Sequence, residues 1–236
     1  RSAQRTETVR AFNKYLEKYP KSIHRDEAYG YLVKAYLSSK NYQAALESLA
    51  KIENKTAEMQ SAWQRVAYFR GLELFNNLKF DESVEAFNQA ISLKAYDKEI
   101  RALASYWKAE ALYRQERYHD AADAYNQLLT TPGAYTMPEY KTCYYNIGYC
   151  YFKTKEYTKS ADWFRKYVEK PAEADTAKLA DSYIRIGDCY FVTSKFNDAV
   201  MFYGMAADLD KFDAEYALFQ KGFAMGLDKN LHGKIL

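Results

Sequence analysis

The stretch that decides the fold of this chain is residues 144–164, which read YYNIGYCYFKTKEYTKSADWF. A second copy, residues 183–203, reads YIRIGDCYFVTSKFNDAVMFY. Both copies open with a tyrosine, place a glycine four positions later (Gly148 and Gly187) and end with an aromatic residue sixteen positions after the glycine. Because residues three or four positions apart share one face of a helix, each copy predicts two helices joined by a turn.

The same spacing recurs along the whole chain. The residue at the glycine position, which we call the slot residue, is Val33, Gly71, Ala109, Gly148, Gly187 or Gly222. The bulky residue sixteen positions later, which we call the packing residue, is Leu49, Phe87, Tyr125, Phe164 or Tyr203. A small slot residue lets the second helix come close, and the packing residue then fills the space beside it. The recurrence predicts an all-α solenoid of antiparallel helical hairpins.

A second recurring feature marks the turn inside each hairpin. An aromatic residue opens every second helix just after a short, mostly polar turn, at Tyr42, Phe80, Tyr118, Tyr157 and Phe196. Three positions later comes a small residue, at Ala45, Ser83, Ala121, Ser160 and Ala199. We expect the aromatic ring to wedge the closed end of its hairpin.

This pattern resembles the tetratricopeptide repeat, which is marked by a bulky residue, Leu-Gly, Tyr, then Ala and Phe, and commonly a final Pro. The resemblance runs from about Thr6 to Leu236. It departs from the family pattern at Ala67 and Ser105, which hold the opening bulky position, and Pro20 is the clear example of the final Pro. The resemblance implies a right-handed α–α superhelix whose repeats hold protein partners.

The repeats are longer than the usual length of about 34 residues. Successive slot residues lie 38, 38, 39, 39 and 35 positions apart, whereas the core of each hairpin is constant. The surplus therefore lies between hairpins and amounts to about one helical turn. Such repeats resemble those of bacterial cell-envelope proteins, namely the outer-membrane assembly lipoproteins and the long repeat proteins of the Bacteroides group, most clearly at residues 11–22 and 26–29. The resemblance implies a place in the bacterial periplasm or at the outer membrane, with the cytoplasm as the alternative.

The whole chain, 1–236, is predicted to form a single solenoid fragment. Its parts are a partial repeat at 6–20, whole repeats at about 24–57, 58–95, 97–131, 138–171 and 174–211, and a partial repeat at 213–236. A structured loop is expected at 130–138, which contains two prolines and a glycine, and a helix stop at 170–173. Because both ends interrupt the hairpin pattern, we expect a longer array, in which further repeats of the parent chain would be neighbours.

Charge and composition argue against several functional classes. The chain has 34 Lys+Arg and 31 Asp+Glu, interspersed as on a solvated helix face, so we expect no nucleic-acid binding. No apolar run reaches the length of a membrane span. The three histidines are scattered and the glycines occur singly, which predicts no catalytic residue, no metal and no cofactor. Cys143, Cys150 and Cys189 are expected to be small buried hydrophobic residues.

The candidate functional residues lie on the first helices, on the side away from the slot residues. The strongest candidates for binding a partner, called the predicted groove residues below, are Tyr68, Phe69, Tyr106, Trp107, Glu110, Tyr145, Asn146, Tyr149 and Arg185. In repeats of the family that the chain resembles, first helices line a concave side, and Tyr, Trp and Arg dominate binding hot spots. We therefore expect a groove for an extended peptide or a helix of a partner protein, with Arg65, Glu110 and Arg185 setting its register.

Other interpretations stay open at this point. The same aromatic residues could pack against neighbouring helices, and the chain would then be a structural spacer. Exposed Tyr and Trp rings could instead stack on sugars, as in a carbohydrate-binding envelope protein. A carboxylate clamp of the chaperone-binding kind is disfavoured, because only Asn146 and Arg185 match its five positions, and Glu110 and Asp181 would repel a carboxylate.

Overall fold

The computed structural model describes residues 2–93, 97–169 and 175–232, and its regular elements in these ranges are all helical. This confirms the predicted all-α architecture. The α-helices are α1 (Ser2–Lys18), α2 (Arg25–Ser38), α3 (Tyr42–Ala50), α4 (Ala57–Asn76), α5 (Phe80–Ser92), α6 (Lys98–Arg114), α7 (Tyr118–Leu129), α8 (Pro138–Lys153), α9 (Tyr157–Val168), α10 (Thr176–Val192), α11 (Phe196–Asp208) and α12 (Ala214–His232).

The loop predicted at 130–138 is ordered and contains a short 3₁₀ helix, Ala134–Thr136. Gly133 precedes it with a φ of 87°, in the left-handed region that favours glycine. Pro138 then takes the first position of α8, where a proline costs no helical hydrogen bond. The helix stop predicted at 170–173 and the boundary predicted at 95 lie outside the described residues.

The chain divides into two compact units, residues 1–111 and 112–236. In the first unit, α2 packs with α3 around Val33 and Leu49, and α4 packs with α5 around Phe87. In the second unit, α8 packs with α9 around Phe164, and α10 packs with α11 around Tyr203. First and second helices therefore pair as the repeat pattern predicts.

Slot residue and packing residue touch in the hairpins whose slot holds a glycine. The packing ring lies so close that an added Cβ would be 2.5 Å from Phe87 at Gly71, 2.9 Å from Phe164 at Gly148 and 2.7 Å from Tyr203 at Gly187. A side chain of any size would collide with the ring, so glycine lets the ring lie directly on the backbone of the first helix. The predicted role of the small slot residue is confirmed.

The small residue of the second helix strengthens this contact. Ser83 Oγ donates to the carbonyl oxygen of Gly71 at 2.9 Å, and Ser160 Oγ donates to that of Gly148 at 2.9 Å. Both serines are fully buried, so each hydroxyl needs such an acceptor. The bond ties the two helices together at the point where the ring packs.

Five hairpins close through the same backbone turn. The second residue after the first helix has a φ between 57° and 62°, at Lys40, Leu78, Glu116, Lys155 and Ser194. The next amide donates to the carbonyl five residues back, as from Lys79 N to Leu74 O at 2.9 Å, which is the Schellman arrangement. Because these five residues all carry a Cβ, each turn holds a strained backbone that costs roughly 1 kcal/mol.

The aromatic residue that opens the second helix packs on the end of the first helix. Ring pairs with an edge-to-face arrangement are Phe75–Phe80 at 5.5 Å, Tyr113–Tyr118 at 5.1 Å, Phe152–Tyr157 at 5.8 Å and Phe191–Phe196 at 5.5 Å. Such pairs contribute about 0.5–1.5 kcal/mol beyond burial of their area. The predicted wedge at the closed end of the hairpin is confirmed in these four hairpins, whereas Tyr42 of the first hairpin stacks on Phe69 of the next repeat.

Candidate functional site

In the first unit, the predicted groove residues on α4 differ in exposure. Phe69 is 37% exposed and stacks on Tyr42, with ring centroids 5.7 Å apart. Tyr68 is 8% exposed and packs in the core against Phe87, at 6.1 Å between centroids. Phe69 therefore keeps a surface that a partner can reach, whereas Tyr68 offers very little.

Tyr106, Trp107 and Glu110 lie within one turn of each other on α6, and all three are half-buried. The indole of Trp107 packs edge-to-face on Tyr106 at 5.7 Å and on Phe75 at 5.3 Å. Phe75 belongs to the preceding repeat. Trp107 thus contributes both to the surface of α6 and to the contact between repeats.

The position two residues before the slot residue repeats this behaviour. In four repeats its side chain lies on a ring of the preceding repeat: Tyr31 on Phe12 at 5.2 Å, Phe69 on Tyr42 at 5.7 Å, Trp107 on Phe75 at 5.3 Å and Arg185 on Phe152 at 5.7 Å. The fourth repeat holds Asn146 at this position. We call it the bridging position. Part of the aromatic surface predicted for a partner is therefore used to hold consecutive repeats together.

In the second unit, one buried carboxylate collects three of the predicted groove residues. Asp181 is 4% exposed. It accepts hydrogen bonds from the hydroxyl of Tyr145 at 2.8 Å, from the hydroxyl of Tyr149, and from Arg185 Nε at 3.2 Å. Side chains from α8 and α10 thus meet at a single acceptor.

Arg185 links this carboxylate to a second one. Its Nη1 donates to Asp188 Oδ2 at 2.6 Å, and Asp188 Oδ1 accepts from the hydroxyls of Tyr203 at 2.8 Å and Tyr216 at 3.1 Å. Asp188 is 9% exposed. The tyrosine–aspartate network, as we call this cluster, consists of Tyr145, Tyr149, Asp181, Arg185, Asp188, Tyr203 and Tyr216.

Burial and charge set the protonation of the network. Burial raises the pKa of Asp188, although Arg185 beside it acts in the opposite direction. Burial alone would lower the pKa of Arg185, but Asp188, Tyr149 and Asp181 raise it, so the guanidinium stays charged. Burial and the neighbouring Asp181 raise the pKa of Tyr145 and Tyr149, which therefore remain hydrogen-bond donors. Counted by formal charge, the two aspartates and Arg185 together carry one net negative charge.

Arg185 is held rigidly and still reaches solvent. Its Nε and Nη1 are engaged by the two aspartates, its guanidinium lies over Phe152, and its side chain is 22% exposed. Its Nη2 donates to no acceptor within residues 2–93, 97–169 and 175–232. The two N–H groups of Nη2 are therefore available to a partner. Asn146 is half-buried on α8, beside Tyr145.

The sequence interpretation missed two members of the network. It assigned Tyr203 only to packing beside Gly187, and it assigned no role to Tyr216. The available signal was the residue type, because a tyrosine at a fully buried packing position needs an acceptor for its hydroxyl. Tyr203 is 1% exposed, and Asp188 is that acceptor.

Other reactive side chains are either exposed and paired or buried. His24 and His119 are exposed and lie 3.2 and 3.3 Å from Glu27 and Glu156. The three cysteines are buried, as expected, and burial raises the pKa of Cys189 to about 12. In the part of the chain that the structure describes, no three His, Cys, Asp or Glu side chains come together as a metal site. The described helices also include none with the length and apolar content of a membrane span.

Comparison with known proteins places these hairpins in context. Family models of the tetratricopeptide repeat match residues 70–135 and 142–169. The sequence has no significant match among curated proteins. These family models support the predicted family, at the level of the tetratricopeptide repeat.

Several solved structures share the fold. The BtubC protein of P. vanneervenii is 14% identical, over 88% of this chain and 89% of that one, with a TM-score of 0.56. YrrB, described as a tetratricopeptide repeat protein with an unusual peptide-binding site, is 16% identical over 91% and 99%, with a TM-score of 0.55. MamA is 16% identical over 83% and 97%, with a TM-score of 0.54. The fold is therefore that of a tetratricopeptide repeat solenoid.

Proposed function

We propose that this chain is a non-enzymatic scaffold that holds a segment of a partner protein on the groove-facing side of its first helices. The matches to tetratricopeptide repeat models support protein binding as the functional class. YrrB, which shares the fold, has a peptide-binding site. The elongated repeats favour the bacterial cell envelope as the place of action, in the periplasm or at the outer membrane.

The observation that carries the proposal is the geometry of Arg185. Two buried aspartates and the ring of Phe152 fix its guanidinium, so a partner that binds Nη2 does not have to order a flexible side chain. Arginine is among the residues most enriched at binding hot spots. Tyr149 and Phe152, both half-buried, supply apolar surface beside it.

The charge of the network indicates which acceptor fits. A carboxylate at Nη2 would meet the net negative charge of Asp181, Asp188 and Arg185 together, and repulsion would weaken it. A main-chain carbonyl is a good acceptor without that charge. An extended peptide offers one such carbonyl per residue. We therefore expect Arg185 to bind the main chain of the partner while apolar side chains of the partner lie on the neighbouring rings.

A structural spacer is the second candidate. It is favoured by the bridging position, where Tyr31, Phe69 and Trp107 pack on rings of the preceding repeat. In that case these rings are already used, and the first helices would bind no partner with useful affinity.

A random peptide library displayed on phage and selected on the chain separates the two candidates. Binding of the selected peptides is then measured by fluorescence anisotropy on the wild type, on Arg185→Lys, and on Trp107→Ala combined with Tyr149→Ala. Arg185→Lys keeps the charge but removes the fixed Nη2 donors. Arg117→Lys, at an exposed ion pair with Asp120, is the matched control.

We expect the selected peptides to bind Arg185→Lys at least tenfold more weakly than the wild type and to bind Arg117→Lys as tightly as the wild type. The melting temperatures of the variants should show that each is folded. If selection yields no peptide whose affinity depends on these residues, the spacer is the better interpretation.

A further inference from the structure

A cleft of about 490 Å³ opens in the first unit between α2 and α4. Its apolar lining consists of Val33, Leu37, Leu49, Met59 and Ala62. Val33 and Leu49 are almost fully buried, whereas the polar residues Glu27, Lys34 and Glu58 are exposed and form its rim. A volume of several hundred cubic ångströms and an apolar floor with a polar rim are typical of binding pockets.

The cleft lies where the repeat pattern lacks a ring. Gly30 also lines it, and Gly30 stands three residues before the slot residue Val33. In the next three repeats that position holds Tyr68, Tyr106 and Tyr145. The packing residue of this hairpin is Leu49, which is smaller than the phenylalanine or tyrosine of the other hairpins. Because Gly30 and Leu49 both lack an aromatic ring, less side-chain volume fills the cleft that they line.

Tyr145 shows what a ring at this position contacts. Its ring lies 5.7 Å from that of Phe164, the packing residue of its hairpin, and Lys178 Nζ lies 5.9 Å from its centroid. In the first hairpin, Leu49 corresponds to Phe164 as the packing residue. Ala62 corresponds to Lys178, because each lies nine residues before the slot residue of its repeat. Leu49 and Ala62 both line the cleft. The cleft therefore corresponds in register to the space that the tyrosine fills three repeats later.

We propose that this cleft, the tyrosine pocket, binds a tyrosine side chain of a partner segment. The assignment rests on the proposed function, because it supplies an anchor for the same kind of ligand. The apolar floor fits the ring. The carboxylates of Glu27 and Glu58 at the rim are acceptors for a phenol hydroxyl, in the way that Asp181 accepts from Tyr145. Tyr31, fixed by stacking on Phe12, forms one wall.

The pocket can be tested with N-acetyltyrosinamide as the probe. The chain has five methionines, and Met59 is a lining residue of the pocket, so protein labelled with ¹³C at methionine methyl groups carries one reporter and four internal controls. We expect a saturable upfield shift of the Met59 methyl signal, because the ring of the probe lies beside it. N-acetylleucinamide should produce at most a tenth of that shift at the same concentration. An unmoved Met59 signal, or equal shifts of all five, would overturn the proposal.

Filling the pocket from within gives an independent check. A Cβ at Gly30 would lie 3.5 Å from Met59 Cε, an ordinary contact, so a larger side chain can start here without a clash, and Gly30→Tyr directs a ring toward the cleft. We expect its Met59 signal to be shifted upfield without any probe and to respond no further to N-acetyltyrosinamide. The matched control, Gly30→Ala, removes the glycine but adds no ring and should keep the response. A Gly30→Tyr protein that still responds like the wild type contradicts the proposal.

The two proposals fail separately. Peptides that depend on Arg185 but bind Gly30→Tyr as tightly as the wild type would leave the scaffold function standing and remove the tyrosine pocket from it. The opposite outcome is a Met59 shift with N-acetyltyrosinamide but no selected peptide whose affinity depends on Arg185, Trp107 or Tyr149. That outcome would support the tyrosine pocket and contradict the scaffold function.

Discussion

Arg185 and Asp188, three residues apart on α10, form an ion pair of 2.6 Å between Nη1 and Oδ2, and neither side chain is more than 22% exposed. Removing a charged group from water costs several kcal/mol, so a buried ion pair needs further hydrogen-bond partners. Asp181 accepts from Arg185, and the hydroxyls of Tyr203 and Tyr216 donate to Asp188. Tyr145 and Tyr149 in turn donate to Asp181. The stability of the second unit therefore depends on the completeness of the network.

Asp188→Ala removes an acceptor that serves Arg185, Tyr203 and Tyr216 at once. Because it removes one of the two carboxylate partners of Arg185 and leaves the buried hydroxyl of Tyr203 without its acceptor, we expect the free energy of unfolding to fall by about 3 kcal/mol. Urea unfolding followed by circular dichroism measures this. The control is Asp198→Ala, at an exposed position on α11, which should cost less than about 1 kcal/mol. Equal losses in the two variants would show that the network adds nothing.

The tyrosines of the network predict a loss of stability in alkali. Burial and a neighbouring carboxylate raise the pKa of Tyr145, Tyr149 and Tyr203 above the ordinary value of 10.0. The folded state therefore keeps these protons when the unfolded state has begun to release them. The stabilisation is complete below pH 10 and decreases as the pH rises above it.

Melting temperatures between pH 8 and pH 11.5 measure this effect. The double variant Tyr145→Phe, Tyr149→Phe has two fewer such protons, so its melting temperature should fall less steeply above pH 10 than that of the wild type. Tyr135→Phe changes a tyrosine that is 73% exposed and should keep the wild-type slope. Identical slopes for all three proteins would exclude a role of the network in alkaline unfolding.

One substitution at two slot positions should have opposite effects. At Gly71, an added Cβ would lie 2.5 Å from the ring of Phe87, and we expect Gly71→Ala to destabilise by about 1–3 kcal/mol through overpacking. At Gly222 nothing lies within 4 Å of an added Cβ. There Gly222→Ala gains only helix propensity and should stabilise by up to about 1 kcal/mol. Chemical denaturation measures the free energy of unfolding of both variants. A gain in stability for Gly71→Ala would contradict the close contact between Gly71 and Phe87.

The turn residues predict a stabilising change. Leu78 has a φ of 60° and is 74% exposed, so its side chain contributes strain and little burial. We expect Leu78→Gly to stabilise the chain by about 0.5–1 kcal/mol, because glycine is preferred at the left-handed end of a helix. Leu78→Ala retains a Cβ and should gain nothing. Thermal unfolding distinguishes them, and an alanine variant as stable as the glycine variant would point to loss of the exposed leucine as the cause.

The pairing of Gly148 with Phe164 could be predicted from the sequence, because both residues belong to one hairpin and their spacing is repeated. The bond from Tyr145 to Asp181 could not, since it joins residues 36 positions apart on the first helices of two repeats. That contact depends on how far one hairpin is rotated relative to the next. The spacing of slot residues gives the length of a repeat and not this rotation. For the same reason, periodicity could not show that Phe69 keeps an exposed face while its neighbour Tyr68 is buried in the core.

Four of the five residues at the bridging position share one arrangement, in which a flat end group lies against a ring. The end group is the phenol of Tyr31, the phenyl ring of Phe69, the indole of Trp107 and the guanidinium of Arg185. Each lies against a ring of the preceding repeat. The packing requires a planar group and does not require a particular one. An array built in this way can exchange charge, size or hydrogen-bonding capacity at one repeat while the stacking of its neighbours is preserved. Under the proposed function, such an exchange would change the partner-binding surface one bridging residue at a time.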